Sequence, residues 1–334
     1  MSRIVSEIVL AHAITAPAVE ADFATIERTL PDRPPAGMLH IRPLWLALDP
    51  YVGQWLRGRH IGDAAPAPGE PLPGESVSIV LSSDHPDFAP GDHVVGHAGW
   101  AEEAIVPASA MRRVDRHAGV TEHLGVLGMP GLAAWAGVTQ LATVGEGDLF
   151  CVDAAAGSVG GTAGQLARIA GARIVGIAGG AQKVAVARDA YRFDDCIDYH
   201  LDGWQDALSA AAPGGITVHF ENVGSKVLDV VIPRMRVNCQ IVLCGLAQHY
   251  ADGSPALLNA GMLMGKRATV RGLIVYDYFP RQAEWVAFAA PLIASGELIE
   301  FQDVAEGLAS APEQLVRVVR GATVGRPLVR IAAA

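Results

Sequence analysis

Cysteine, charge and, at one decisive place, acid are what this sequence has least of. Four cysteines stand among 334 residues, at Cys151, Cys196, Cys239 and Cys244, and no two have C-x-x-C spacing. Three fall in apolar, strand-like runs. Cys239 and Cys244 read as sharing one strand five residues apart, which points their side chains to opposite faces. That excludes a disulfide framework or a cysteine zinc lobe, and a reducing cytoplasm is the expected setting. Charged residues make up only 18%, and 25 basic against 35 acidic residues leave a net charge of −10. With no basic cluster, non-specific nucleic-acid binding is excluded. The first residues carry Glu7 and lack the basic-then-apolar layout of a secretion signal. Residues 123–145 hold no formally charged side chain and are long enough to span a bilayer. Five glycines, a proline, a histidine and a glutamine dilute that stretch, so a buried helix at a domain seam is expected rather than a membrane span.

What is present is organised around Leu149–Lys183, LFCVDAAAGSVGGTAGQLARIAGARIVGIAGGAQK. An apolar run from Leu149 to Val152 leads into a small-residue turn, a helix-compatible segment and a second apolar run from Arg173 to Ala178. Strand, glycine turn, helix, strand is the first crossover of a dinucleotide-binding unit. The pattern is Ala155-x-Gly157-x-x-Gly160, with Gly164 one helical turn on. Gly157 is expected to make the tight turn and Gly160 to let backbone approach a pyrophosphate, with amides at the helix N-terminus pointing at the phosphates.

The length and the 51% hydrophobic content suit two domains with sizeable cores. Residues 4 to 120 read as short strands between Pro/Gly turns, a barrel-like antiparallel texture. From Leu124 strands and helices alternate, which implies a parallel, doubly wound sheet. Strands are expected at 195–199, 216–221, 240–245 and 269–275, and helices at 204–212, 226–235 and 282–295. A strand-like ending at 328–331 suggests that the tail returns to the first domain. The expected division is 1–122 with 297–334 as one domain and 123–296 as the other.

A unit that prefers NAD places an acid about 20 residues past the glycines to hold the ribose 2′-hydroxyl. Here that position reads Ala178-Gly179-Gly180-Ala181-Gln182-Lys183, and no acid occurs between Asp153 and Asp189. Lys183 would pair with a 2′-phosphate, so NADP(H) is the inferred cofactor.

These residues resemble a family. Leu48-Asp49-Pro50-Tyr51, Gly128-Met129-Pro130-Gly131-Leu132, the glycine turn, Glu221-Asn222-Val223-Gly224, Cys244-Gly245 through Tyr250, and Gly272 through Tyr278 are similar to the zinc-independent medium-chain dehydrogenase/reductases. The matching branch is that of prostaglandin/leukotriene reductases and alkenal double-bond reductases. The resemblance implies an α/β fold in which a Rossmann sheet is joined to a GroES-like, β-rich catalytic domain. It implies NADPH-dependent reduction of the C=C bond of a small-molecule enone or enal, and a homodimer. By position, Gly157, Ser158, Val159, Gly160 and Gly161 would meet the pyrophosphate, and Lys183 and Tyr199 the 2′-phosphate. Asn222, the run Cys244, Gly245, Leu246, Ala247, Gln248, His249 and Tyr250, together with Leu273, Ile274 and Val275, would line the rest. Tyr51 and Tyr278 would face the substrate. Three departures stand out: Val52-Gly53-Gln54 lacks the usual basic residue, Ala133 and Trp135 replace hydroxyl residues, and Thr323 stands where relatives often carry Asn.

Hydride delivery to the β-carbon of an enone builds negative charge on the carbonyl oxygen, which a phenol such as Tyr250 can stabilise and protonate. Packing against the cofactor ribose is its competing role. A quinone reductase, which needs no dedicated proton donor, and a non-catalytic NADP-binding relative are the alternatives. No metal site is expected. The loop Pro73-Gly74-Glu75-Ser76 lacks the histidine of zinc alcohol dehydrogenases, and His93 and His97 have no third partner nearby in sequence. A serine hydrolase is excluded, because Gly157-Ser158-Val159-Gly160 is not a G-x-S-x-G elbow.

Overall fold

The computed structural model describes residues 3–61, 64–114 and 119–332. The chain forms two compact units, Met1–Leu124 with Gln302–Thr323 and Pro327–Ala334, and Gly125–Phe301 with Val324–Arg326.

The first unit is antiparallel. Strand Met38–Ala47 is its centre, pairing with Glu75–Ser83, with Ala104–Pro107 and with the tail strand through Leu328↔Ala47 and Val329↔Leu46. Arg3–Leu10, Phe23–Leu30 and Trp100–Ala101 make a smaller sheet. In strand Glu75–Ser83, Val77 and Val80 are buried, and so are Ser76 and Ser78, whose hydroxyls bond one another at 3.2 Å. The tail helix Ala311–Val319 places Leu315 and Val318 in one cluster with Leu46, Leu48 and Val52. Strand His93–His97 runs through both histidines, but His93 is buried and His97 exposed.

The second unit is a six-stranded parallel sheet in the order Asp195–Asp198, Arg173–Ala178, Leu149–Asp153, Ile216–Glu221, Met235–Leu243, Thr269–Gly272. In sequence terms that is 3-2-1-4-5-6, the doubly wound order in which the strand order reverses beside the first strand. The fold is therefore mixed α/β, as expected. Every residue of Leu149–Asp153 is buried, as a strand covered by helices on both faces must be. Cys151, Val175 and Ile177 pack with Leu208, Val227, Val231 and Ile241 in one cluster. Burial of each such side chain contributes about 1.5–3 kcal/mol.

Several elements differ from expectation. Residues 123–145 are not one helix: a 3₁₀ turn, Val120–Leu124, precedes helix Met129–Ala136, which widens into a π turn at Gly137–Leu141. Pro130 starts that helix. At Gly131 a Cβ would come within 1.7 Å of the Val126 carbonyl oxygen, so close contact sets the break. Among the described residues no helix is long and apolar enough to cross a membrane. The strand expected at 240–245 is Met235–Leu243, which leaves Cys244 beyond its end. The opposite-face argument for Cys239 and Cys244 therefore fails, although all four thiols are free. The last strand stops at Gly272, and residues Val275–Arg281 coil into a 3₁₀ helix containing Pro280.

Candidate active site

The carboxyl ends of the parallel strands carry the site residues. Past Asp153 the chain turns through Ala154, at a φ of 46°, to Gly157, the N-cap of helix Ser158–Ile169. A Cβ at Gly160 would lie 2.5 Å from the Ala154 carbonyl oxygen, and one at Gly161 would lie 2.4 Å from the Tyr191 ring. Gly160 and Gly161 are buried, and their bareness lets the helix sit on the sheet, whereas Gly157, Ser158 and Val159 are half-buried. The Ser158 hydroxyl oxygen is buried and has no hydrogen-bond partner among the described residues. Such an orphan costs about 1–3 kcal/mol. A phosphate oxygen at this helix N-terminus would satisfy it, so the residues present fit a dinucleotide.

Beside this turn, strand Arg173–Ala178 ends at Gly179 and Gly180, the latter at a φ of 93°. The Gly180 and His200 amides each donate to Asp198 Oδ1 at 2.9 Å. The Gly180 bond chiefly holds that carboxyl below its ordinary range, so Asp198 is an anion committed to backbone. Lys183, in helix Ala181–Ala185, and Tyr199 are half-buried. The Lys226 ammonium lies 4.5 Å from the centroid of the Tyr199 ring, a cation–π contact.

On the other side of the central strand, Glu221 Oε1 accepts the amides of Val223 and Gly224 at 2.7 and 2.6 Å. Asn222 donates its backbone amide to Asp153 Oδ1 at 2.6 Å, and its side-chain amide to the Asp153 carbonyl at 3.2 Å. The run after strand Met235–Leu243 is laced to the same turn. Cys244 and Gly245 donate to the Glu221 carbonyl at 2.9 and 3.1 Å, and Ala247 to that of Asn222 at 2.9 Å. A Cβ at Gly245 would come 3.1 Å from the Asn222 oxygen. Burial pushes the Cys244 thiol up to about 12.

Helix Ala247–Asp252 follows Leu246 and carries Gln248, His249 and Tyr250. Gln248 Oε1 accepts the Lys226 amide at 3.0 Å. His249 Nδ1 faces the Ser254 carbonyl at 3.2 Å and must donate, so Nε2 accepts the Ser225 amide at 3.2 Å. Both side chains thus hold the loop. Tyr250 is half-buried, and burial raises its phenol above the ordinary value, partly opposed by a backbone hydrogen bond from Leu246. Leu273 is buried and donates its amide to Leu243 at 2.9 Å, while Ile274 is exposed and Val275 and Tyr278 are half-buried.

The first unit holds Tyr51, on the short helix Pro50–Trp55, within 5.3 Å of the His60 ring, which stacks at 5.2 Å on Trp55. Thr323 falls with the same unit. Two residues on, the Gly325 amide donates to the Ala156 carbonyl at 2.9 Å, beside the glycine turn.

Family models match both parts of the chain, an N-terminal domain of oxidoreductase over residues 6–114 and a zinc-binding dehydrogenase over 158–295. An NADPH-dependent curcumin reductase of Escherichia coli (strain K12) is 33% identical, covering 90% of this chain and 89% of its own. The NADP(+)-dependent 2-alkenal reductase of Nicotiana tabacum is 32% identical, covering 97% of each. The chain is a zinc-independent medium-chain dehydrogenase/reductase. The NADPH complex of CurA from Vibrio vulnificus superposes with a TM-score of 0.92 at 30% identity, covering 98% of this chain and all of that one. This medium-chain reductase is an NADP(H)-dependent oxidoreductase. At Gly74 a Cβ would lie 2.7 Å from the Leu46 side chain and 2.9 Å from the Trp100 indole nitrogen.

Two features of this reductase escaped the sequence reading. Lys226 places a cation beside Tyr199; a lysine in the first turn after Gly224-Ser225 was the available signal. Asp153, His219 and Glu221, all fully buried, bring one ligand-type atom each within 4.8 Å of one another. The departures at Ala133 and Trp135 also gain a reason. Both are buried, and Trp135 lies 6.3 Å from the Trp285 ring with the Arg281 guanidinium 4.6 Å over it.

Proposed function

We propose that this reductase saturates the C=C bond of α,β-unsaturated ketones and aldehydes, as a homodimer in a reducing cytoplasm. Bound NADPH supplies the hydride, which goes to the β-carbon. Tyr250 carries the reading. Its phenol, neutral at its ordinary value and pushed higher still by burial, is a donor for the oxygen on which enolate charge collects, worth about 3 kcal/mol when well aimed. The same proton can pass to the α-carbon. We assign the pyrophosphate to Gly157–Gly161, with Ser158 as hydroxyl donor, and the 2′-phosphate to Lys183 and Tyr199. Asn222, Cys244 through Tyr250, Leu273 through Val275 and Thr323 line the remainder, and Tyr51 and Tyr278 face the substrate. In this reading 1–122 with 297–334 is the substrate domain and 123–296 the NADP domain. The names of the relatives, 2-alkenal reductase and (+)-pulegone reductase among them, support it.

The test is NADPH consumption with a panel of enones, quinones and saturated alcohols. Turnover of enones well above quinones, unaffected by chelators, is expected. Faster quinone turnover would replace the reading with quinone reduction, and alcohol turnover lost on chelation would end it.

A further inference from the structure

The outer contacts of the Asp153–His219–Glu221 cluster fix how many protons it holds. His219 Nδ1 faces the Cys151 carbonyl at 3.1 Å, and a carbonyl can only accept, so Nδ1 carries a hydrogen. Nε2 then faces Glu221 Oε2 at 3.0 Å. Glu221 Oε1 is saturated by the Val223 and Gly224 amides, and Asp153 Oδ1 by the backbone and side chain of Asn222. That leaves Asp153 Oδ2, buried and without a donor among the described residues, against the Glu221 carboxyl. Two inward contacts remain, nitrogen to carboxyl and carboxyl to carboxyl, and each is a hydrogen bond only if a proton lies on it. With both protons in place the cluster has no net charge, which is what full burial demands. With either missing, a bare anion or a lone-pair clash sits in the core. The groups bearing on Asp153 are the Cys151 thiol of its own strand, and the Cys244 thiol and Tyr199 phenol, which lie just past the ends of strands Met235–Leu243 and Asp195–Asp198. Burial raises all three, so none supplies a compensating cation.

We infer that Asp153, His219 and Glu221 form a two-proton, charge-neutral clamp that positions Asn222 and the Val223–Gly224 turn for NADPH. The inference rests on the proposed placement of Asn222 against the cofactor. These three are positioning residues, acting through the Asn222 amide and the Glu221–Gly224 backbone. A carboxyl buried as an acid binds more protons folded than unfolded, so raising the pH from the ordinary carboxylate range toward the raised value works against the clamped state. The directions agree, since burial raises both carboxyls and lowers the imidazole. Proton loss therefore loosens the turn on the alkaline side, and NADPH affinity falls there.

Glu221→Gln supplies both inward hydrogens from an amide that does not titrate, with Asp153 as the accepting carboxylate. Its amide oxygen accepts from Val223 and Gly224, and its two amide hydrogens serve His219 Nε2 and Asp153 Oδ2 at every pH. Asp153→Asn, which keeps an oxygen for Asn222 and donates to Glu221, is the second variant should the first not fold. The measurement is the NADPH dissociation constant of the intact protein from about pH 7 to about pH 10. Wild type should lose up to about tenfold per pH unit once the proton leaves, and a folded amide variant should lose less. Titrations of Lys183, Tyr199 and the cofactor phosphate are common to all and cancel in the difference. Identical pH profiles for wild type and variant overturn the clamp, as does a stoichiometric metal ion in the purified protein by elemental analysis. Asn222→Ala separates the two layers: unchanged NADPH affinity there removes Asn222 from the site, and the clamp's function with it.

Discussion

At the glycine turn the carboxyl edge of the parallel sheet is nearly all backbone, with Gly157, Gly160 and Gly161 bare and Ser158 offering one buried hydroxyl that has no partner among the described residues. Next to it, the Glu221–Gly224 turn is held by a buried aspartate, glutamate and histidine. The two regions share a central strand, since Asp153 ends one and anchors the other. In the proposed reading the difference follows from what each must do. A dianionic phosphate chain is satisfied by amides and a helix N-terminus, and side chains would only crowd it. A turn that must fix one amide side chain needs rigid partners, and in a dry interior those must be neutral or fully paired.

The largest expected effect comes from breaking the polar side of that comparison. Glu221→Leu strips Val223 and Gly224 of their acceptor and His219 Nε2 of its partner, and should destabilise the protein by about 3–5 kcal/mol. In a thermal melt that is a fall of about 10 °C or more. Tyr250→Phe comes next. It should lower enone turnover on the order of a hundredfold, about 3 kcal/mol, while NADPH affinity by fluorescence titration changes little. Unaltered turnover would remove Tyr250 from the chemistry. On the backbone side, Gly160→Ala should cost about 1–3 kcal/mol of stability, because the new Cβ meets the Ala154 and Asp153 carbonyls. Lys183→Ala should be mildest, weakening NADPH by about tenfold while NADH binding is unchanged. Equal loss for both cofactors would place Lys183 elsewhere than at the 2′-phosphate.

The same contrast explains what could be read from the chain alone. The glycine turn was legible because its demands are local: strand, bare turn and helix follow one another within Leu149–Ile169, and each glycine marks a close approach. The preference for NADP(H) was legible because a missing acid is visible without a structure. The polar clamp was not, because Asp153 and Glu221 meet only when the fourth strand lies beside the first, and nothing at either position signals the other. His219 looks in sequence like any alternating strand residue. Asp198 was overlooked for a related reason. It lies outside 153–189, yet strand pairing sets it opposite Ala178, where it holds the Gly180 amide. The helix expected at 123–145 failed on contacts: Gly131 and Gly137 are pressed against Val126 and Phe220, which no composition count reveals.

The central claim is that hydride reaches the alkene carbon and not the carbonyl. It is tested most directly with NADPH deuterated at the nicotinamide C4 and a simple aryl enone, the product being read by NMR. The account predicts a saturated ketone with deuterium at the β-carbon. An allylic alcohol with deuterium on the former carbonyl carbon would contradict it.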